Sequence, residues 1–282
     1  MIIGTGGFAS FAPLLWGIIF RIPTVVLEVN VLPGLVNRLL APHVDLVATA
    51  YPRTAELFRS RARPKRVVVT GVPLRPEVLE AAARPKAELK ARLGLDPRKR
   101  TVLVLGGSRG AAPLNQAVLG ARGRGQWEDF QVLLITGPNG PVARVANDAR
   151  LVTREYLDRI GEALGAADLV VSRAGAATLA ELTALGKPAI LVPWPGAAEG
   201  HQEQNARFLA QAGGALLLPE EALARVDLLE LAGRLIREEE RLQEMAAKSL
   251  ALGRRDGLER FIEEVRRLTG TGSTLSASAA RG

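Results

Sequence analysis

The sequence predicts an α/β fold in which parallel β-sheets are covered by helices on both faces. Ten short runs of apolar, mostly β-branched residues recur along the 282 residues, and Ala/Leu-rich stretches follow them after a glycine or proline. These runs are almost continuously hydrophobic rather than alternating, which is typical of strands buried on both faces of a sheet. Strands that alternate with helices indicate parallel sheets, which bind ligands at the carboxyl ends of their strands.

The ten predicted strands fall into two groups, which predict two domains. They lie at 1–4, 24–28, 46–49, 67–70, 101–105, 131–136, 151–153, 168–172, 189–193 and 215–218. Between the fourth and fifth strands, a charged and proline-containing stretch predicts a linker. We therefore predict an N-terminal domain (1–83), a linker (84–100), a C-terminal domain (101–252), a last amphipathic helix (253–269) and a disordered tail (270–282). Four strands are few for a doubly wound domain, so the first domain is expected to be incomplete.

The composition excludes disulfides and argues against some kinds of metal site and partner. The chain has no cysteine and two histidines, His43 and His201, so disulfides are excluded and a zinc site of the usual His/Cys kind is not expected. The net charge of +8 suits nucleic acid, anionic lipid or phosphorylated ligands, although an arginine-rich surface without a particular target explains it equally well. The aromatic content of 4% argues against single-strand nucleic-acid platforms, which need stacking rings, and we expect no nucleic acid as a partner.

The longest apolar stretch, residues 11–20, is too short to span a bilayer. We interpret it as a buried helix, with a surface that dips into a membrane as the alternative. Basic residues that could rim such a surface are Arg38, Arg59, Arg61, Arg63, Lys65 and Arg66. A basic rim around an apolar patch can hold an anionic bilayer, whereas an ordinary solvated loop explains the 59–66 run equally.

Three segments that follow strands of the second domain carry the predicted chemistry. In TVLVLGGSRGAAPL (101–114), glycines lead from a strand into a helix, whose first N–H groups can bind phosphate. In DLVVSRAGAATLAELTALGKPAILVP (168–193), Glu181 can accept ribose hydroxyls or complement the helix dipole. In WPGAAEGHQEQNA (194–206), an amide-rich helix start offers donors and acceptors to sugar hydroxyls. Each segment alone is also an ordinary turn, but together they indicate a nucleotide-sugar site.

These segments, with GTGGFASFAPLLW, EVNVLPGLVNRLL and TGVPLRPEV, resemble the MurG family of bacterial transferases. That family adds N-acetylglucosamine from UDP-GlcNAc to the lipid-linked muramyl-pentapeptide precursor of peptidoglycan. The resemblance extends to about Leu268 and implies a GT-B fold, two Rossmann-like parallel-sheet domains facing a cleft. It also implies inverting transfer with no metal or cofactor, and a peripheral position on the cytoplasmic face of an anionic cell membrane. No Asp-x-Asp motif occurs in the chain, in keeping with a metal-free reaction.

The resemblance also implies roles for individual residues. Asn30 would lie near the donor sugar, Arg75 would contact the nucleotide or phosphate, Ser108 the diphosphate, and Leu157 the uracil through its backbone. The phosphates and ribose would be wrapped by Ala176, Ala177, Thr178, Leu179, Ala180 and Glu181, and the donor sugar would face Gln202 and Asn205. The acceptor's pyrophosphate would enter the loop that contains Gly4, Thr5, Gly6, Gly7 and Ser10.

The sequence departs from the family pattern at the expected general base. Members usually read His-Glu-Gln-Asn where this chain has Leu-Glu-Val-Asn at 27–30, and nothing here matches their earlier glycine-rich loop with its histidine. Glu28 is therefore the candidate base. Alternatives are a transferase with another lipid acceptor, a nucleotide-sugar 2-epimerase, and an inactive UDP-sugar-binding scaffold of cell-wall synthesis.

Overall fold

A computed structural model of the chain describes residues 1–107, 110–121, 129–138 and 150–270. It divides the chain into two compact units, one formed by Met1–Leu74 with the residues from Arg254 onward, the other by Arg75–Gly253. Each of the ten predicted strands is present within two residues of its predicted bounds. The predicted α/β class with parallel sheets is confirmed.

In the described part of the first unit, four parallel strands form a sheet in the order β1-β2-β3-β4. Its elements are β1 (Ile2–Gly4), α1 (Phe11–Ile19), β2 (Thr24–Glu28), α2 (Leu35–Leu40), β3 (Leu46–Thr49), α3 (Pro52–Arg61) and β4 (Val67–Val69), with a further helix near the C-terminus. On one face of the sheet, Val26 and Val47 pack with Leu14 of α1 and Phe58 of α3.

The other face of this sheet is covered by the C-terminal helix (Gly257–Thr269), which is α12 in chain order. Its Phe261 packs with Val25, Leu27, Leu46 and Ala48, because successive strand residues point to opposite faces. The amphipathic helix predicted as a separate segment is therefore part of the first unit.

In the described part of the second unit, six parallel strands form a sheet in the order β10-β9-β8-β5-β6-β7. The strands are β5 (Arg100–Leu105), β6 (Phe130–Ile135), β7 (Leu151–Arg154), β8 (Leu169–Ser172), β9 (Ala189–Leu191) and β10 (Ala215–Leu217). The helices are α4 (Pro76–Ala82), α5 (Lys86–Arg92), α6 (Ala112–Ala121), α7 (Ile160–Ala166), α8 (Ala176–Leu185), α9 (His201–Gln211), α10 (Leu228–Arg237) and α11 (Glu239–Leu252). The chain builds outward from β5 to β7 and then returns to β8, so strand order reverses between β5 and β8. Ligands of such sheets bind outside the carboxyl ends of the strands at this point.

The stretch predicted as a linker is an integral part of the second unit. Leu89 of α5 is fully buried, and the α5 residue Lys90 is 5% exposed. The Lys90 ammonium donates to Asp168 Oδ2 at 2.9 Å and to the Lys99 carbonyl at 2.6 Å, while Lys86 donates to Asp168 Oδ1 at 2.6 Å. The charges that suggested a solvated linker are paired with a carboxylate just before β8, so the boundary between units lies at Leu74.

The apolar stretch at 11–20 is half covered. Within α1, Leu14 and Gly17 are buried, as the interpretation of a buried helix requires. Trp16 and Ile19, together with Phe20 at the helix end, are each more than half exposed, so that interpretation is wrong for the outer face. Among the described residues, no helix has both the length and the apolar composition needed to cross a bilayer.

Candidate functional site

The two strands that flank the reversal of strand order end in glycine-containing loops. After β5, Gly110 has a φ of +73°, and a Cβ there would lie 2.2 Å from the Thr136 carbonyl oxygen, so this close approach requires glycine. The same oxygen accepts a hydrogen bond from Asn115 Nδ2 at 2.9 Å, which fixes the start of α6 against the end of β6. Ser108 lies outside the described residues, so its contact with the diphosphate stays a prediction.

The second loop leads from β8 into α8, with Gly175 as the N-cap residue. The first N–H groups of a helix have no partner within it and carry the positive end of its dipole. The Leu179 N–H donates to the Gly175 carbonyl at 2.9 Å, and the side chains of Leu179 and Ala180 are buried. The main chain of residues 176–178 is therefore the part of this predicted segment that is suited to binding phosphate.

Glu181, one turn into α8, faces a guanidinium. Its side chain is 8% exposed, and Arg75 Nη2 donates to Glu181 Oε1 at 2.8 Å. The Arg75 Nε atom also lies 3.2 Å from Glu77 Oε1 in α4, and the Arg75 side chain is 48% exposed. The structure thus brings Arg75 and Glu181, which are 106 residues apart in sequence, into direct contact.

In this pair the Glu181 carboxylate is mostly buried, while the Arg75 side chain is about half exposed. Burial raises the pKa of the Glu181 carboxyl, and Glu77 adds to the rise, while the Arg75 guanidinium opposes it. Arg75 also interacts electrostatically with Tyr156, which follows β7 and precedes the half-buried Leu157. The segment predicted to meet uracil therefore lies at the same edge of the sheet as the residue predicted to bind ribose.

Gln202 and Asn205, both on α9, differ in their surroundings. The Trp194 N–H donates to Gln202 Oε1 at 2.9 Å, and Gln202 is half-buried. Asn205 is fully buried, and its Nδ2 donates to the Ala174 carbonyl at 3.1 Å. Gln202 is thus the better placed of the two to meet a sugar, while Asn205 ties α9 to the loop after β8.

Arg173, between β8 and the Gly175 cap, is a buried residue of this edge that the sequence did not predict. Its side chain is 9% exposed, and it pairs with Glu220, a residue of the short 3-10 helix that follows β10. The signal that could have found it is an arginine inside an otherwise small and apolar strand-to-helix segment, since buried charges are rare unless paired.

In the first unit, the predicted acceptor loop follows β1. Gly6 and Gly7 both have positive φ, and Ser10 Oγ donates to the Gly6 carbonyl at 2.6 Å. Gly4 is buried at the end of β1, and Thr5 is exposed. The loop is therefore built around two main-chain positions that favour glycine.

Glu28 ends β2 and is 2% exposed. Its Oε1 accepts from the Asn30 N–H at 2.9 Å and from Asn30 Nδ2 at 3.3 Å. Its Oε2 accepts from the Gly34 N–H at 2.9 Å and from Asn37 Nδ2 at 2.8 Å. Both carboxylate oxygens are occupied, which suits holding the Asn30 loop in place; a role as general base stays a prediction.

The second unit has the features of a nucleotide-binding α/β domain: a strand reversal, two glycine-containing helix starts and a carboxylate one turn into a helix. Residues 101–261 match the glycosyltransferase family 28 C-terminal domain. A UDP-N-acetylglucosamine–N-acetylmuramyl-(pentapeptide) pyrophosphoryl-undecaprenol N-acetylglucosamine transferase of Bacillus subtilis is 37% identical over 94% of this chain and 74% of its own length. A transferase of the same name from Halothermothrix orenii has the same identity and coverage. The chain therefore belongs to this family of transferases, the MurG family.

Solved structures agree with this assignment at the level of the fold. MurG of Acinetobacter baumannii gives a TM-score of 0.72 at 23% identity, over 94% of this chain and 72% of that one. A UDP-GlcNAc 2-epimerase of Neisseria meningitidis, solved with UDP-GlcNAc bound, gives 0.68 at 15% identity, over 94% and 75%. The fold is thus shared by enzymes with different reactions, and family membership rests on the sequence relatives.

Proposed function

We propose that this chain is an inverting glycosyltransferase of peptidoglycan synthesis. It would move N-acetylglucosamine from UDP-GlcNAc to a lipid-linked muramyl-pentapeptide. The observation that carries the proposal is the contact between Arg75 and Glu181 beside the N-terminus of α8, at the strand reversal of the second sheet. The family relatives bear names with the same donor and acceptor.

The chemistry follows from the charge that develops during transfer. An acceptor hydroxyl attacks the anomeric carbon and loses its proton to a general base. The bond from that carbon to the diphosphate oxygen breaks, and UDP leaves with added negative charge. Main-chain N–H groups at the start of α8 supply fixed positive potential for this charge, and Arg75 lies beside them, paired with Glu181. On this basis we propose that no metal is needed, and turnover in excess EDTA tests that point.

Donor binding and transfer are tested separately. Calorimetry with UDP, ADP and GDP measures base selectivity, and UDP should bind tightest because the proposed pocket is one for uridine. Equal affinity for the three nucleotides would contradict that assignment. Release of UDP in the presence of the muramyl-pentapeptide lipid, against other polyprenyl and diacylglycerol acceptors, then tests the acceptor. Tight UDP binding without release on any acceptor would favour a non-catalytic scaffold.

For the acceptor side, we propose that an anionic membrane surface binds an apolar patch of the first unit. The patch consists of Phe8, Leu15, Trp16, Ile19, Phe20, Leu35 and Leu39, all of them exposed. The Trp16 and Phe20 rings are in contact, tilted by 39° with centroids 4.4 Å apart, and α1 packs on α2. Clustered exposed apolar side chains mark interaction surfaces, and neighbouring arginines favour anionic lipid.

Basic residues of the first unit lie beside the patch and in the 59–66 run. Arg21 and Arg38 are exposed and lie next in sequence to Phe20 and Leu39 of the patch. In the 59–66 run, Lys65 pairs with Asp45 and Arg66 with Glu264, and Arg59 donates to a main-chain carbonyl. The proposal places the contact with anionic lipid at Arg21 and Arg38 because these two exposed arginines adjoin the patch in sequence.

Vesicle sedimentation tests this surface. We expect more binding to vesicles that contain phosphatidylglycerol than to pure phosphatidylcholine. Replacing Trp16 and Phe20 together by serine should weaken binding roughly tenfold or more, since a large apolar side chain contributes about 1.5–3 kcal/mol on burial. The control replaces Leu258 and Ile262, an exposed apolar pair on α12, by serine. An equal loss in both double variants would contradict the assignment to this patch.

A further inference from the structure

The Arg173 guanidinium joins three loops at the carboxyl ends of neighbouring strands. It follows β8 directly, and its Nη1 donates to the carbonyls of Val192 and Pro193 after β9, at 3.1 and 3.3 Å. Its Nη2 pairs with Glu220 after β10. A planar guanidinium presents several donors in fixed directions, so it can serve two carbonyls and a carboxylate at once, which an ammonium group does poorly.

The peptide group between Pro193 and Trp194 connects this cation to Gln202. Its carbonyl oxygen accepts from Arg173, and its N–H donates to Gln202 Oε1 at 2.9 Å. Of the two polar atoms of a glutamine amide, the oxygen is the one that accepts, so this bond fixes which way the amide faces. The Gln202 Nε2 donor is thereby directed to the other side of its amide group.

We propose that Arg173 is a positioning residue for recognition of the donor sugar. Through the Pro193–Trp194 peptide it sets Gln202 so that Nε2 can donate to an oxygen of the bound hexose. Glu220 neutralises the buried cation and fixes the second edge of its guanidinium. The inference rests on the proposed function, since it assumes that a nucleotide-linked hexose occupies this edge of the sheet.

The consequence is a selective effect on the sugar half of the donor. Arg75 and Glu181, which are proposed to bind the nucleotide, contact each other directly. Arg75 is the N-cap residue of α4, and Glu181 lies in α8. The Arg173 side chain acts instead on the segment after β9. Replacing Arg173 by a residue that cannot make all of these hydrogen bonds should therefore weaken UDP-GlcNAc binding while UDP binding is retained.

The experiment measures UDP and UDP-GlcNAc affinities by calorimetry on the full chain. In Arg173→Lys we expect roughly tenfold weaker UDP-GlcNAc binding, the equivalent of about one lost neutral hydrogen bond, with UDP changed by less than about threefold. The control is Arg100→Lys. Arg100 begins β5, at the amino ends of the strands of the same sheet, and pairs with Glu239 of α11. That variant should change neither affinity.

A double-mutant cycle separates positioning from general stability. If Arg173 acts through Gln202, Arg173→Lys should add nothing to the loss of sugar selectivity caused by Gln202→Ala. Independent, additive losses would overturn the proposal, as would an equal loss for both ligands or a lower Tm with unchanged selectivity. If Arg173→Lys does not fold, Glu220→Gln must show the same selective loss. A wild-type chain that binds neither ligand would overturn the proposed function, and this inference with it.

Discussion

Replacing Glu181 by glutamine tests the nucleotide half of the site. The substitution keeps the size of the side chain and removes the charge that Arg75 Nη2 contacts at 2.8 Å. Glu181 is proposed to accept ribose hydroxyls, and hydrogen bonds to a charged group contribute about 1.5–3 kcal/mol. UDP affinity should therefore fall roughly 10- to 150-fold.

The stability of the unliganded protein should change little in the same variant. Burial raises the pKa of Glu181, so the ionised carboxylate is itself disfavoured in the folded state. Arg75 keeps Glu77 as a partner and is 48% exposed, which leaves its charge solvated. We expect the free energy of unfolding to shift by less than about 1 kcal/mol, as for other partly exposed ion pairs.

Calorimetry with UDP at pH 7.5 is the assay, and Glu77→Gln is its matched control. Both carboxylates lie within ion-pair distance of Arg75, but Glu181 is the one proposed to reach the ribose. The Glu77 variant should bind UDP within about threefold of the wild type, well short of the loss expected for one charged hydrogen bond. If both variants lower the affinity for UDP equally, the loss is due to Arg75, which both carboxylates contact, and the ribose assignment is refuted.

Further predictions concern pH and packing. Burial raises the pKa of Glu181, and the carboxylate is the form proposed to bind ribose. On acidification, UDP affinity should therefore begin to fall at a higher pH than for an ordinary glutamate, whose pKa is about 4.3. Calorimetry across pH checks this. Burial and neighbouring lysines lower the pKa of Lys187 to about 7. The unfolded chain then binds more protons above that pH, so stability should rise between pH 7 and 10, by roughly 4 kcal/mol at most, and urea unfolding of Lys187→Met should show a flatter rise. A Cβ on Gly161 of α7 would lie 2.4 Å from a main-chain oxygen of α4. Gly161→Ala should therefore lower Tm and reduce the free energy of unfolding by about 1–3 kcal/mol. Gly120→Ala is the control and should not lower Tm, because a Cβ there meets open space. Glu28→Gln should lower the free energy of unfolding by about 2–4 kcal/mol, because an amide nitrogen would face N–H donors; a loss below 1 kcal/mol in urea unfolding would contradict this.

Much of the fold was predictable because the signals are local. A strand buried on both faces must be hydrophobic along its whole length, so all ten strands were evident from the sequence. Glycines before helix starts likewise identify the loops after β5 and β8, because the backbone conformation there depends on a few neighbouring residues. The family resemblance then named Arg75 and Glu181, whose contact the structure shows.

The partners of those elements were not predictable, because hydrophobic periodicity shows that a face is buried but not what covers it. Only the tertiary structure places Phe261 of the last helix against the first sheet. Charge patterns have the same limit: Lys90 reads as part of a solvated linker until it meets Asp168, 78 residues away. Asn205 and Arg173 are polar residues whose buried positions depend on main-chain carbonyls of other segments. Local chemistry was therefore determined by the sequence itself, while the long-range contacts that give each polar group its role were decided by how the chain folds.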